Sequence, residues 1–185
     1  MLKANIAGTV LLLLFPIGFA NAQGESKYKW ETGFQVTTIQ LGTPAEKPFG
    51  LGGRIGLSLG NHITVEAEAN HFPENPSRNF GETQVVGGIK AGGYVSSWGG
   101  FIKIRPGLLH FGGGDFRSRN SALDHPVLDI GAVAERRITE RMVFRMDFGD
   151  TLIFYGGNLM NTGLGTFRPG TESNLQISFG LGFKF

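Results

Sequence analysis

The chain has 185 residues, a length that fits one domain better than two. Only 17% of them are charged, against about 25% in ordinary soluble domains, while glycine fills 30 positions and phenylalanine 16. The lack of cysteine excludes a disulfide scaffold, a thiolate zinc site and a thiol nucleophile, and a net charge of +2 gives no electrostatic footprint for nucleic acid.

Met1 to Ala22 has the parts of a secretory signal peptide: Lys3 in a positive n-region, an apolar stretch from Val10 to Phe15, and Ala20-Asn21-Ala22 as the cleavage site. The expected processing removes residues 1–22 and leaves 23–185 as one mature domain outside the cytoplasm. No later stretch approaches the roughly 20 apolar residues of a membrane-spanning helix.

From about residue 27 onward the dominant period is two, the signature of strands with two chemically different faces. Eight segments can be placed, at about 27–41, 49–60, 62–73, 83–94, 98–111, 127–138, 142–156 and 173–185. In the third, Ile63, Val65, Ala67 and Ala69 oppose Thr64, Glu66, Glu68 and Asn70. In the last, Leu175, Ile177, Phe179, Leu181, Phe183 and Phe185 oppose Gln176, Ser178, Gly180, Gly182 and Lys184. Tight turns at 60–62, 95–97 and 139–141 alternate with four longer connections, near 42–48, 74–82, 112–126 and 157–172. That rhythm predicts an all-β, eight-stranded antiparallel up-and-down transmembrane barrel, with short periplasmic turns and longer extracellular loops.

The same alternation would suit a soluble lipocalin-like carrier if the apolar face turned inward. Three features favour the opposite sense. Glycine crowds the polar face (Gly33, Gly56, Gly88, Gly92, Gly107, Gly131, Gly149), as a narrow lumen filled by long polar side chains requires. The charges on that face balance, Arg54, Lys90, Lys103, Arg105, Arg145 and Lys184 standing against Glu31, Glu66, Glu68, Asp129, Glu135 and Asp147. Buried charges need such partners. Finally Trp30, Phe49, Phe72, Tyr94, Trp98, Phe111, Phe154 and Tyr155 lie near strand ends, where they are expected to form interfacial girdles.

Turn symmetry sharpens the expected lumen network. Closure about Asn61 sets Arg54 opposite Glu68, and closure about Glu140 sets Glu135 opposite Arg145 and Val133 opposite Asp147. Facing opposite charges stabilise antiparallel pairs, so lumen salt bridges are expected there. Two places break the alternation. Pro106 within a strand predicts a bulge, after which Leu109 and Phe111 would face lipid and His110 the lumen. Asp150 should follow a second bulge or lie high near the membrane surface, because a carboxylate facing mid-bilayer lipid is costly.

The final segment, Ser178-Phe179-Gly180-Leu181-Gly182-Phe183-Lys184-Phe185, resembles the β-signal read by the outer-membrane barrel assembly machinery, carried by Ser178, Gly180, Phe183 and Phe185. With it the mature chain resembles the small eight-stranded outer-membrane barrels of OmpA/OmpX type, the group called outer membrane protein β-barrel domain. The resemblance implies residence in the outer membrane. It also implies passage past periplasmic chaperones and contact with outer-membrane lipid and lipopolysaccharide. No peptidoglycan-binding domain is expected after the last strand, so an anchoring role is not implied.

The first functional expectation is a non-enzymatic barrel with a side-chain-filled lumen, acting structurally or through loops that meet an unidentified surface ligand. Loop three offers Asp115, Arg117, Arg119, Asp124 and His125; loop four offers Asn158, Asn161, Arg168 and Glu172. The alternative is a lipid A acyl hydrolase or transferase, using Ser77, Ser118 or Ser121 with His71 or His125 at one rim. Neither histidine sits in the His-x-Ser-Asn pattern associated with the deacylases, so no catalytic residue is assigned. A narrow pore ranks lower, since an eight-stranded lumen holding these charges leaves little room for flow. No cofactor or metal site is expected, because the four histidines are scattered.

Overall fold

The computed structural model describes residues 28–41, 47–74, 80–113, 124–155, 160–162, 165–167 and 170–185. The expected signal peptide lies outside them. Strands β1 (Trp30–Ile39), β2 (Phe49–Ser58), β3 (Ile63–Phe72), β4 (Phe80–Val95), β5 (Trp98–Gly113), β6 (Asp124–Arg137) and β7 (Met142–Tyr155) follow one another around a closed barrel. A small hairpin of β8 (Met160–Thr162) and β9 (Gly165–Phe167) stands apart from the wall, in what the sequence reads as a plain loop. The last strand, β10 (Gly170–Lys184), pairs with β7 and closes on β1. At that seam the amides of Trp30 and Phe185 each donate to the other's carbonyl, at 3.1 and 2.9 Å. Every pairing is antiparallel. No barrel edge is left unpaired, which is what strands in hydrocarbon need when water cannot satisfy their amides.

The barrel is inside-out. Phe34, Leu51, Ile55, Val85, Ile102, Phe148 and Phe179 are exposed on the outer wall, while Glu66, Glu68, Lys103, Arg105, Asp129, Arg145 and Asp147 are buried within it. A soluble carrier would reverse these sets. The turns behave as their symmetry requires: Arg54 lies opposite Glu68, and Glu135 opposite Arg145. The two-residue turn between β4 and β5 places Ser96 at a φ of 58°, in the left-handed region that hairpin turns use.

Neither expected bulge exists. The register between β4 and β5 is the same on both sides of Pro106, from Val86↔Gly107 to Ile89↔Ile104. Alternation therefore runs on unbroken: Leu109 and Phe111 face the lumen and His110 faces out, the reverse of the expectation. Glycine supplies the physical reason. A Cβ on Gly88 would sit 2.1 Å from the Ile104 carbonyl oxygen, and one on Gly107 would sit 2.0 Å from that of Val85. The two backbones pinch together around the missing proline amide, so the ladder skips two pairs without gaining a residue.

Asp150 also lies on a regular strand, paired with Ile130 and Leu175 and turned outward. It stands nearer the loop end of β7 than the turn end. Of the two expected placements the register excludes the bulge, and Ser173 of β10 donates to the outward Oδ2 at 2.6 Å.

Several strands run past their expected limits toward the loops. Asp124 and His125 belong to β6, and Glu172 to β10, so none of the three is a loop residue.

Candidate functional site

The lumen is the most heavily organised part of the molecule, and it is tiered. Inward-facing positions change character with height because successive residues on the same face climb from turn end to loop end.

The lowest tier is ionic. At the turn-end mouth the Arg54 guanidinium reaches Glu31 at 3.1 Å, and Lys184 lies 3.9 Å from the same carboxylate. This differs from the cross-strand pairing expected with Glu68. Arg54 lies across three glycines instead: Cβ atoms on Gly33, Gly180 and Gly182 would each fall within 3.0 Å of its guanidinium. The space those positions leave lets the arginine cross the lumen. Glu135 accepts from Lys90 Nζ and from the Tyr94 hydroxyl. Its facing partner Arg145 stands 3.8 Å away, an ion pair without a hydrogen bond.

Above this sits a core of fully buried charges. Arg105 donates to Glu68 at 2.5 Å, to Glu66 at 3.2 Å, and from Nε to Asp129 at 2.7 Å. Arg145 clasps Glu66 with two nitrogens, at 2.7 and 3.0 Å, and Asp147 with Nε at 2.5 Å. Lys103 bridges Asp129 and Asp147 at 3.0 and 2.9 Å. Four carboxylates thus share three cations. Planar, forked guanidiniums suit such sharing, because one arginine can present donors to several oxygens at once.

The next tier is neutral and escapes a search for charges. Gln35 donates to Asn70 at 2.8 Å; Asn70 donates down to Glu68 at 2.8 Å and across to Gln84 at 2.9 Å. Gln84 and Gln176 exchange hydrogen bonds at 3.1 and 3.2 Å, and Thr151 donates to Gln176 at 2.7 Å. Parity alone places all of these inside, so the signal was present in the sequence. Only the expectation of charge hid it.

The top tier, toward the loops, is mostly apolar, with the buried carboxylate of Glu82 set between Phe72 and Phe111 in the ladder. Ile39, Leu41, Phe72, Val86, Leu109, Phe111, Val127, Ile153 and Tyr155 form one buried cluster inside the barrel. His125 is buried there, edge-on to the Phe111 and Tyr155 rings at 5.5 and 4.9 Å between centroids. The girdle expectation is corrected accordingly. Trp30, Phe49, Trp98 and Phe154 are exposed on the outer wall, but Phe72, Phe111 and Tyr155 fill the lumen and Tyr94 turns in to Glu135.

The two histidines considered for catalysis lie on opposite sides of the wall. His71 is on the outer wall, Nδ1 at 3.0 Å from the Thr83 hydroxyl, and His125 is enclosed by aromatic rings inside. Ser77, Ser118 and Ser121 lie outside the described residues, as do Asp115, Arg117, Arg119, Asn158 and Arg168. Asn161 is in β8. Among the described residues no cluster of His, Asp or Glu is arranged to hold a metal ion. Of the assembly-signal residues, Ser178 points inward and donates to Thr37 at 2.8 Å, and Gly180 is buried beneath Arg54. Phe183 and Phe185 are exposed outside.

No protein-family model and no curated protein matches the chain. Solved structures match it in fold. Neisserial surface protein A aligns with a TM-score of 0.56 at 14% identity, covering 88% of this chain and 100% of its own. The solution structure of OprH from Pseudomonas aeruginosa gives a TM-score of 0.57 at 13% identity, over 85% of this chain and 99% of that one. The N-terminal β-barrel domain of P. aeruginosa OprF gives 0.51 at 14% identity, over 88% and 100%. The chain has the fold of the small eight-stranded outer-membrane barrels.

Proposed function

We propose that the chain is an integral outer-membrane protein without catalytic activity, exported by a signal peptide removed after Ala22. Its barrel is a sealed scaffold, and its extracellular loops do the work by meeting a surface ligand, lipopolysaccharide included. The observation that carries this reading is the filled lumen: an ion-paired core, an amide layer and an apolar cap stacked in one narrow barrel. Such a stack stiffens the wall and fills a narrow eight-stranded bore with side chains. The fold likeness to a protein named for the Neisserial surface is in keeping with it. Assembly would proceed through periplasmic chaperones and the barrel assembly machinery, with Ser178, Gly180, Phe183 and Phe185 as the recognition segment.

The test has three readouts on one preparation. The protein should sit in the outer-membrane fraction and change its gel mobility between unboiled and boiled SDS samples. Planar bilayers holding it should show no steady conductance in molar KCl, and lipid A from overexpressing cells should keep its mass. A soluble periplasmic protein with no mobility shift would overturn the membrane reading. A stable ohmic current would move the assignment to a narrow pore, and an altered acyl count would move it to a lipid A enzyme.

A further inference from the structure

The turn-end rim of the barrel carries exposed arginines. Among the described residues, Arg136 stands on the outer wall at the turn end, with Arg141 and Glu140 exposed in the turn below, while Arg137 alternates to the lumen side opposite buried Val143. The turn-end arginines are also posed. Arg136 lies over the Trp98 ring at 5.2 Å, Arg137 over Tyr94 at 3.7 Å and Arg141 over Tyr28 at 5.2 Å. Arg141 Nε donates to the Tyr28 hydroxyl at 3.2 Å.

Stacking on a ring fixes a guanidinium plane while leaving its outward N–H groups for another acceptor. Among the described residues neither Arg136 nor Arg141 is in an ion pair. Their height is set by the wall itself. Arg136 is outward-facing, two residues below Ala134, beside exposed Trp98 and above the water-facing turn at Glu140. That is where hydrocarbon gives way to headgroups, and rings such as Trp98 favour that boundary. The chemistry that complements forked donors at this depth is phosphate.

We infer that the turn-end rim is a docking surface for anionic phospholipid headgroups, with Arg136 and Arg141 as the phosphate-facing residues and Trp98 and Tyr28 as the plates that hold them. The rim thereby ties the barrel to the leaflet on its turn side and fixes its depth. This rests on the barrel being inserted in a membrane, so the test scores insertion separately.

Both tryptophans of the chain, Trp30 and Trp98, are at this end, so intrinsic fluorescence reports the rim directly. The purified protein is inserted into phosphatidylcholine vesicles. Brominated phosphatidylglycerol or brominated phosphatidylcholine is then added at equal mole fractions. The phosphatidylglycerol form should compete for the rim on the order of threefold or more better, since each interfacial arginine favours an anionic surface. High salt should narrow the difference. Replacing both arginines by glutamine should abolish it, whereas Arg136→Lys with Arg141→Lys should retain most of it. Equal quenching by both lipids in the native protein, or undiminished selectivity in the glutamine variant, would sink the proposal. Absence of quenching by either lipid, together with no heat-dependent mobility shift, would instead overturn the membrane reading on which it rests.

Discussion

The two halves of the lumen obey one positional rule and two different chemistries. Toward the turns the inward positions are Arg105, Arg145, Lys103, Glu66, Glu68, Asp129 and Asp147; toward the loops they are chiefly Phe72, Phe111, Leu109, Ile153 and Tyr155, with Glu82 and His125 among them. Both sets are buried, and both fill the same narrow barrel. Polarity is therefore not what defines an interior position in this protein. Filling is. The halves differ in how they are specified: the ionic tier by which partner each charge finds, the apolar cap by volume and shape.

That contrast can be broken at its strongest point. Arg105 holds Glu68 at 2.5 Å and Asp129 at 2.7 Å. Replacing it with methionine keeps most of its bulk and strands Glu68, whose remaining partner is an Asn70 amide at 2.8 Å. Removing one partner of a buried ion pair costs about 3–5 kcal/mol, and unfolding in urea from detergent micelles should show a loss of that size. Asp129 keeps Lys103 at 3.0 Å, so adding Glu68→Gln to Arg105→Met should recover more than half of the deficit. If the double variant is no better than the single one, the tier is specified by packing and the contrast fails.

The cap should respond in the opposite way. Phe111→Ala removes a fully buried ring and should cost about 3 kcal/mol by the same measurement, near the lower end for such truncations because the cavity opens beside the rim. Phe111→Leu, which restores volume without restoring the ring, should cost under about 1.5 kcal/mol. No change of charge elsewhere should repair Phe111→Ala. Compensation by charge in one half and by volume in the other is what the two tiers predict.

The sequence disclosed the period, the turn centres and the inward charges, because each depends on local parity that a closed antiparallel sheet preserves. It did not disclose where long side chains end. Arg54 faces Glu68 across the strands, yet bends over Gly33, Gly180 and Gly182 to Glu31. That choice depends on space on a wall distant in sequence. Phe72, Phe111 and Tyr155 misled for another reason: an aromatic residue near a strand end can mark the membrane boundary or plug the bore, and only unbroken parity separates the two. Parity in turn hinged on Pro106. A proline inside a ladder predicts a bulge unless glycines let the neighbouring backbones close in, as Gly88 and Gly107 do.

The smallest effect tests the outer wall against the lumen. Asp150 is an outward carboxylate among Ile130, Leu152 and Leu175, satisfied at one oxygen by Ser173 and without a hydrogen-bond partner at Oδ1. Inside the barrel an equivalent carboxylate has cations on two sides, as Asp147 has Arg145 and Lys103. Loss of charge should therefore have opposite signs in the two places. Asp147→Leu should destabilise, since it takes one of two carboxylates from Lys103 and from Arg145 and leaves the buried tier with excess positive charge. Asp150→Leu should stabilise the barrel in lipid vesicles by about 1 kcal/mol, because an acid on the lipid face costs less than a basic group and less again toward the interface. Urea titrations of the two variants in the same vesicles decide it. A loss at Asp150 equal to that at Asp147 would mean that the outer carboxylate is held by a partner as firmly as the inner ones. Ser173 alone does not supply that, so the wall around β7 and β10 would then have to be an interface rather than a lipid-facing surface.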